Sequence, residues 1–312
     1  MQKLVFFGSS VHCLVTLNGL RNNGYEIVAV VTQPPKPVGR KRLVTPTAVE
    51  LWALEHGVEV IKPESWRGEK ASQEIARLKG LACEVAVLSV YGKILPQNVI
   101  DVFPKGIVNI HPSLLPAYRG PAPAVGAILA GEKTSGTSIM LLSAEMDAGA
   151  VLGQIEFEIA ESEVPQTYYE KGFTLGTAKL LEILPKYLMG ELQPVEQDHT
   201  RAIFTKMLSR DDGEIDWSEP VELIERKVRA YTPWPGTWTM VKQGQDGTVY
   251  VPKLMAQKIG LALNGRTEEP HVSPRRMKIL NAKLEEGILE LGQVQLDGDL
   301  VKDFGELRLN NA

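Results

Sequence analysis

The sequence predicts an α/β fold in two parts: a Rossmann-like, mostly parallel sheet with helices on its faces, then a small C-terminal OB-like β-barrel. Three observations carry that expectation. Residues 4–7 form a short apolar run ending at Gly8, residues 11–20 have helical apolar spacing, and residues 26–31 form a second apolar run. Together they read as a βαβ opening. Continuous apolar runs return at 84–90 and 107–110, as strands buried on both faces require. Late in the chain, short strand-like runs alternate with glycine turns, the spacing of a small barrel.

A chain of 312 residues is long for one compact domain. The expected division is 1–189, a linker at 190–205 where Pro194 and scattered charges fall, and 206–312. Hydrophobic content of 44% and charged content of 23% are those of an ordinary globular protein. A net charge of −4 excludes a general pull toward nucleic acid, so any polyanion must meet a local patch. Cys13 and Cys83 lie in apolar surroundings at no metal or disulfide spacing, and reduced thiols fit a cytoplasmic setting. The first residues enter a strand at once and no long apolar span follows, so neither secretion nor membrane insertion is expected.

The first turn, Gly8-Ser9-Ser10, lacks the three-glycine fingerprint of a dinucleotide site. After the second strand, residues 32–42 form a proline-rich exposed loop carrying Lys36, Arg40, Lys41 and Arg42. Such a loop is either solvated surface or an arm that grips phosphates. Helices are expected at 46–55 and 69–79 and a strand at 58–61; the central strand at 84–90 leads to Tyr91-Gly92. A helix at 122–130, strands at 137–142 and 151–159, and a long amphipathic helix at 167–188 complete the first part. In the second, a helix at 221–230 precedes strand-like runs at 238–241, 249–254, 277–282, 289–291, 293–296 and 306–309. Residues 244–275 are polar, glycine-bearing and least patterned, and read as a long barrel loop.

The stretch 108–120 carries the chemistry. Asn109 and His111 stand two apart on a strand, so both side chains leave the same face. Pro112 and Pro116 then prevent helix and leave a stiff turn. A lone strand-end histidine is ordinarily structural, and an asparagine there is ordinarily a turn former. Asp147, after the run 137–142, raises this stretch above that ordinary case. Amide, imidazole and carboxylate at neighbouring strand ends are the parts of a proton-handling site. They do not make a three-ligand zinc site. Arg119 suits either an anionic group of a ligand or a structural partner.

The run Asn109-Ile110-His111, through Ser113-Leu114-Leu115-Pro116 to Arg119-Gly120, with Asp147-Ala148-Gly149 after it, resembles the signature of the folate-dependent formyltransferases. The resemblance implies 10-formyltetrahydrofolate as donor and no metal, with Asn109, His111 and Asp147 catalytic. It places Ser113, Leu114, Leu115 and Pro116 along the donor pocket, and Tyr91 and Gly92 in a loop that walls it.

The loop at 32–42 is similar to the Thr-Gln-Pro…Gly-Arg insertion of the branch that formylates methionyl-tRNA, which implies that Lys36, Arg40, Lys41 and Arg42 meet the acceptor arm. It is one residue shorter after Arg40 and lacks a glycine often found there. Ile215-Asp216-Trp217 and Pro233-Trp234-Pro235 resemble that branch's C-terminal domain, whereas the small purine-pathway relative would end near residue 200. One count opposes this: residues 206–312 hold 15 Lys and Arg against 17 Asp and Glu. Cations such as Lys253, Lys258, Arg275, Arg276 and Lys278 must therefore gather on one face.

The implied reaction is direct attack by the α-amine of initiator methionyl-tRNA through a tetrahedral intermediate, for translation initiation, with no obligate protein partner. Two alternatives stay open: a sugar-nucleotide amine formyltransferase, and a catalytically idle RNA-binding relative.

Overall fold

Alternation along β1 (Lys3–Gly8) sets the layers of the molecule: Leu4 and Phe6 enter one apolar core, Val5 and Phe7 the other. A strand buried on both faces needs helices on both. The chain supplies them with α1 (Cys13–Asn22), β2 (Glu26–Val31), the short ladder of β3 (Lys36–Val38) with β4 (Leu43–Thr45), α2 (Ala48–Glu55) and β5 (Glu59–Ile61). There follow α3 (Glu69–Gly80), β6 (Val85–Ser89), α4 (Gln97–Ile100), β7 (Ile107–His111), α5 (Pro123–Ala130), β8 (Thr134–Leu141), β9 (Val151–Glu158) and α6 (Pro165–Leu188). The computed structural model describes residues 1–38, 43–261, 272–307 and 309–311, so Arg40, Lys41 and Arg42 lie outside the described residues.

The first compact unit comprises Met1–Pro123, Thr134–Glu158 and Tyr168–Thr205. Its seven-stranded sheet has the order β5-β2-β1-β6-β7-β8-β9, parallel through β7 and antiparallel for β8 and β9. This is the mostly parallel sheet expected. Leu17 and Leu20 of α1, Trp52 of α2, and Phe173 and Leu180 of α6 fill one core; Ile75 and Leu78 of α3 and Val99 of α4 fill the other. Each such side chain contributes about 1.5–3 kcal/mol when fully buried. Thr47 caps α2 by accepting the Glu50 N–H at 3.0 Å, the start signal its Thr-x-x-Glu spacing encodes. The β3–β4 ladder and α4 are additions to the sequence reading, both too short for periodicity to register.

The second unit comprises Ala124–Lys133, Ile159–Thr167 and Lys206–Ala312. It adds α7 (Val221–Ala230), β10 (Thr237–Gly244), β11 (Val249–Val251), α8 (Lys253–Lys258), β12 (Val272–Ile279), β13 (Ala282–Glu285), β14 (Ile288–Leu291), β15 (Gln293–Leu296), β16 (Lys302–Asp303) and β17 (Leu309–Asn311). A curled, half-barrel sheet of six strands runs β16-β15-β12-β10-β11-β17, antiparallel except for the β11–β17 pair. Its inner face packs Val241, Val251, Met277, Ile279 and Leu296 against Trp217, Ile224, Val228 and Met255.

Part of the expected loop at 244–275 is ordered differently. The strand expected at 249–254 stops at Val251, because Pro252 opens α8, a position where its missing N–H costs nothing. Only Met255 and Ala256 of that helix are buried, so its apolar face is too narrow to read in sequence. β12 also starts earlier than the apolar residues suggested, pairing Gly244 with Val272; residues 262–271 lie outside the described residues. Among the described residues no helix is long and apolar enough to cross a membrane.

Candidate active site

All five residues of β7 are buried. Its register sets Asn109 beside Leu88 on one side and Met140 on the other, and sets His111 opposite Ser138. Both polar side chains leave the same face of the strand, as the spacing of two dictates. Asn109 is 6% and His111 5% exposed.

The chain after His111 is fixed by two residues that sequence reading passed over. The Ser138 hydroxyl donates to the Ser113 carbonyl at 2.6 Å and accepts the Leu115 N–H at 3.0 Å and an N–H of Gln154 at 2.8 Å. Its one donor and two acceptor positions are thus all used. Gln154 Nε2 also donates to the Leu115 carbonyl at 2.9 Å, and Ser113 Oγ to the Ala117 carbonyl at 2.7 Å. Both backbone groups of Leu115 are thus engaged; Ser113 and Leu115 are buried, while Leu114 and Pro116 are half-buried.

Tyr118 follows in the left-handed region at φ 59°, which turns its carbonyl toward His111 Nε2 at 3.1 Å. A carbonyl only accepts, so Nε2 carries a hydrogen. Nδ1 then faces Asp147 Oδ2 at 3.6 Å. The same carboxylate oxygen accepts the Gly120 N–H at 2.7 Å. Asp147 itself adopts φ 51°, a costly conformation for a residue with a Cβ. It lies in the β8–β9 connection, which must come back over the sheet, since Leu141 pairs with Val108 near the start of β7. Two glycines permit this packing. A Cβ on Gly149 would lie 1.9 Å from the Leu141 carbonyl oxygen, and one on Gly120 2.7 Å from that of Thr205.

Arg119, left open between ligand and structural partner, is structural. It is 3% exposed. Its guanidinium donates to Gln197 Oε1 from Nε at 3.1 Å and from Nη2 at 2.7 Å, and Nη2 also meets His199 Nδ1 at 3.1 Å. The backbone of Arg119 donates to the Ile203 carbonyl at 2.8 Å and accepts the Thr205 N–H at 2.7 Å. Residues 190–205, read from composition as a linker, thus contribute Gln197, His199 and Thr205 to the surroundings of the site. Nothing in that polar, proline-bearing run marks them in advance.

The Tyr91 ring is a core group. It packs edge-on to Phe7 with centroids 5.6 Å apart, and its hydroxyl accepts from Trp66 Nε1 at 3.1 Å. Burial pushes that phenol up to about 12. The Tyr91 backbone carbonyl accepts from Ser9 Oγ at 3.2 Å and Gln33 Nε2 at 2.8 Å. Gly92 abuts the same Gln33 amide, whose oxygen accepts from Lys36 Nζ at 2.7 Å. Among the described residues no group of three or more His, Cys, Asp or Glu is placed to hold a metal ion.

Residues 2–184 match the family model described as formyl transferase, and residues 207–299 the one described as formyl transferase, C-terminal domain. A methionyl-tRNA formyltransferase of Chloroflexus aurantiacus is 44% identical over 237 residues, covering 76% of this chain and 76% of its own. One from Herpetosiphon aurantiacus is 38% identical over 296 residues, covering 95% of this chain and 94% of its own. Among solved structures, the methionyl-tRNA formyltransferase from Clostridium thermocellum superposes with a TM-score of 0.56 at 13% identity, covering 95% of this chain and 99% of that one. At that identity the likeness speaks for the fold.

Proposed function

The chain belongs to the formyl transferase family, and we propose that it moves the formyl group of 10-formyltetrahydrofolate to the α-amine of methionyl-tRNA, for translation initiation. The observation that carries this reading is the pairing, in one chain, of buried Asn109 and His111, the latter facing half-buried Asp147, with the second unit that the tRNA-directed relatives also possess.

The amine nitrogen attacks the formyl carbon, the carbonyl π pair moves to oxygen, and the nitrogen sheds a proton. Collapse of the tetrahedral carbon breaks its bond to N10 of the folate, which takes up a proton. An α-amine titrates near ~8, so a useful fraction is neutral without help. The Asn109 amide is assigned the growing oxyanion, where a buried, pre-set dipole is worth a few kcal/mol, about 2.7–4 per donor. His111 and Asp147 are assigned the proton. In its present tautomer His111 offers Nδ1 toward Asp147, so an imidazolium formed there is met by a carboxylate. To serve the oxyanion as well, Nε2–H must leave the Tyr118 carbonyl. Ser113, Leu114, Leu115 and Pro116 are assigned to the donor pocket, with Gly92 and the backbone of Tyr91 in its wall.

For the acceptor, Lys36 with Arg40, Lys41 and Arg42 is assigned the tRNA acceptor arm. The second unit offers a further surface. A groove of about 540 Å³ is lined by Arg210, Pro233, Trp234, Trp238, Arg276 and Lys278. On β12, Arg276 and Lys278 point outward between inward Met277 and Ile279, and the Arg276 guanidinium sits 4.0 Å over the Trp238 ring. This gathers two of the cations that the acidic balance of the domain demanded on one face. Arg275, by contrast, is tied to Gln243 and Asp299. Cations beside exposed aromatic rings suit phosphates and bases.

The test is formyl transfer from 10-formyltetrahydrofolate to initiator methionyl-tRNA, free methionine and an amino-sugar nucleotide. Strong preference for the charged tRNA is expected. Transfer to the sugar nucleotide alone would overturn the acceptor, and transfer to none, with folate still bound, would favour an idle RNA-binding scaffold.

A further inference from the structure

We propose that Gln197 is a positioning residue for Asp147, acting through a closed ring of hydrogen bonds that passes through Arg119. The inference rests on the proposed role of Asp147 in proton handling.

The ring can be walked atom by atom. Gln197 Nε2 donates to two carbonyls, that of Asp147 at 2.9 Å and that of Gly149 at 2.7 Å. Gln197 Oε1 accepts both N–H groups that Arg119 turns toward it, at 3.1 and 2.7 Å. The next residue after Arg119 is Gly120, whose N–H returns to Asp147 Oδ2 at 2.7 Å. Which way the amide points is set by chemistry: a guanidinium only donates and carbonyls only accept, so the oxygen must face Arg119. Two donors and two acceptor positions of one side chain are therefore all in use, on a residue only 7% exposed.

One amide thus holds both ends of the bond that aims the carboxylate. It draws together the carbonyls on either side of Ala148, the turn in which Asp147 is kept at φ 51°. It also anchors Arg119, and so the adjoining N–H that grips Oδ2. A left-handed residue with a Cβ persists only where its surroundings over-determine it, and this ring is what does so here. Asp147 Oδ2 stands 3.6 Å from His111 Nδ1, a gap that a small slip of the turn would widen beyond use. Neither Gln197 nor Arg119 touches the reacting atoms; both act through Asp147.

The experiment compares wild type, Gln197→Ala, Gln197→Glu and Asp147→Asn. The readouts are kcat, the KM for each substrate, thermal unfolding, and the Gly120 amide resonance in a nitrogen-labelled sample. Gln197→Glu keeps the shape and the partner for Arg119 but sets a carboxylate oxygen against two carbonyls. In both Gln197 variants kcat should fall about ten- to a hundred-fold, the scale of a 1 Å misplacement. The KM for 10-formyltetrahydrofolate should stay within about twofold, and the Gly120 resonance should move, as a loosened turn and not a weakened donor pocket requires. Wild-type kcat in Gln197→Ala, or an unmoved Gly120 resonance in either variant, would overturn the inference, whatever the unfolding temperature. Wild-type kcat in Gln197→Glu would assign the effect to Arg119 alone and overturn it too. Wild-type kcat in Asp147→Asn would instead overturn the reading of the site, an outcome separable because the Gly120 resonance still reports whether Gln197 holds the turn.

Discussion

Polar groups are handled in opposite ways in the two units. In the first, His111, Ser138 and Gln197 are buried, and most of their side-chain hydrogen-bonding capacity is spent on named partners. In the second, Arg276 and Lys278 stand on the outer face of a sheet, and Trp234 is 52% exposed. The contrast follows from what each task needs. Charge that develops on one atom is stabilised best by dipoles already fixed in a water-poor site. A polyanion is held by several cations whose interactions are individually weak and salt-sensitive. Rigidity serves the first task, while exposure and charge serve the second.

The largest expected effect separates the two. His111→Ala or Asp147→Asn should lower kcat by about 10²–10⁴, the usual scale for removing a proton-transfer group. The affinity for methionyl-tRNA, read by filter binding, should be unchanged. A variant that lost tRNA affinity and kept kcat would break the comparison.

Next comes the rigidity itself. Gln154→Ala removes, from an exposed position on β9, the amide that the Leu115 carbonyl and one acceptor position of Ser138 use. Unfolding in urea should show a loss of about 0.5–1.5 kcal/mol, the net worth of a hydrogen bond whose acceptors water can then reach. A loss within error would mean that solvent already reaches the loop at 113–118.

For the second unit, replacing Arg276 and Lys278 together by Ala should flatten the dependence of log K on log salt by up to about 0.9 for each phosphate no longer neutralised. The value of kcat at saturating tRNA should be unaltered. An unchanged slope would remove that face from the tRNA interface. The smallest effect concerns Asp212, whose carboxyl is held down to about 2, chiefly by Lys206 and then by the Ser209 N–H. Its folded value lies below its unfolded value of ~3.9, so its contribution is complete above the latter and fades as pH falls toward the former. Asp212→Asn should cost under about 1 kcal/mol at neutral pH, as a partly exposed pair does. Stability curves of the two proteins should converge toward pH about 2; a difference that persisted there would reflect packing and not charge.

What was legible in the sequence divides along physical lines. β1, β2 and β6 of the first sheet are continuous apolar runs because both their faces are covered, and Asn109 and His111 declare a shared face through their spacing of two. Asp147 stood out by its place after the run 137–142 and within Asp147-Ala148-Gly149. Its partners did not, since the Gly120 N–H and the Tyr118 carbonyl are backbone, and any residue has those. Gln197 was hidden for another reason: its run is polar like a linker, and only the fold shows that run lying against Arg119. In the second unit, β12 alternates Arg276, Met277, Lys278 and Ile279, so a strand that is half outward presents as polar sequence. α8 buries too few residues to show a helical period.

The most direct test of the division between chemistry and grip is one single-turnover measurement with both substrates saturating, made on wild type, Asp147→Asn, and the double variant Arg276→Ala with Lys278→Ala. The rate of formyl transfer should collapse in Asp147→Asn and stay at the wild-type value in the double variant once enough tRNA is supplied. A double variant that remains slow at saturation would contradict the account, because the second unit would then be acting on the bond-making step itself.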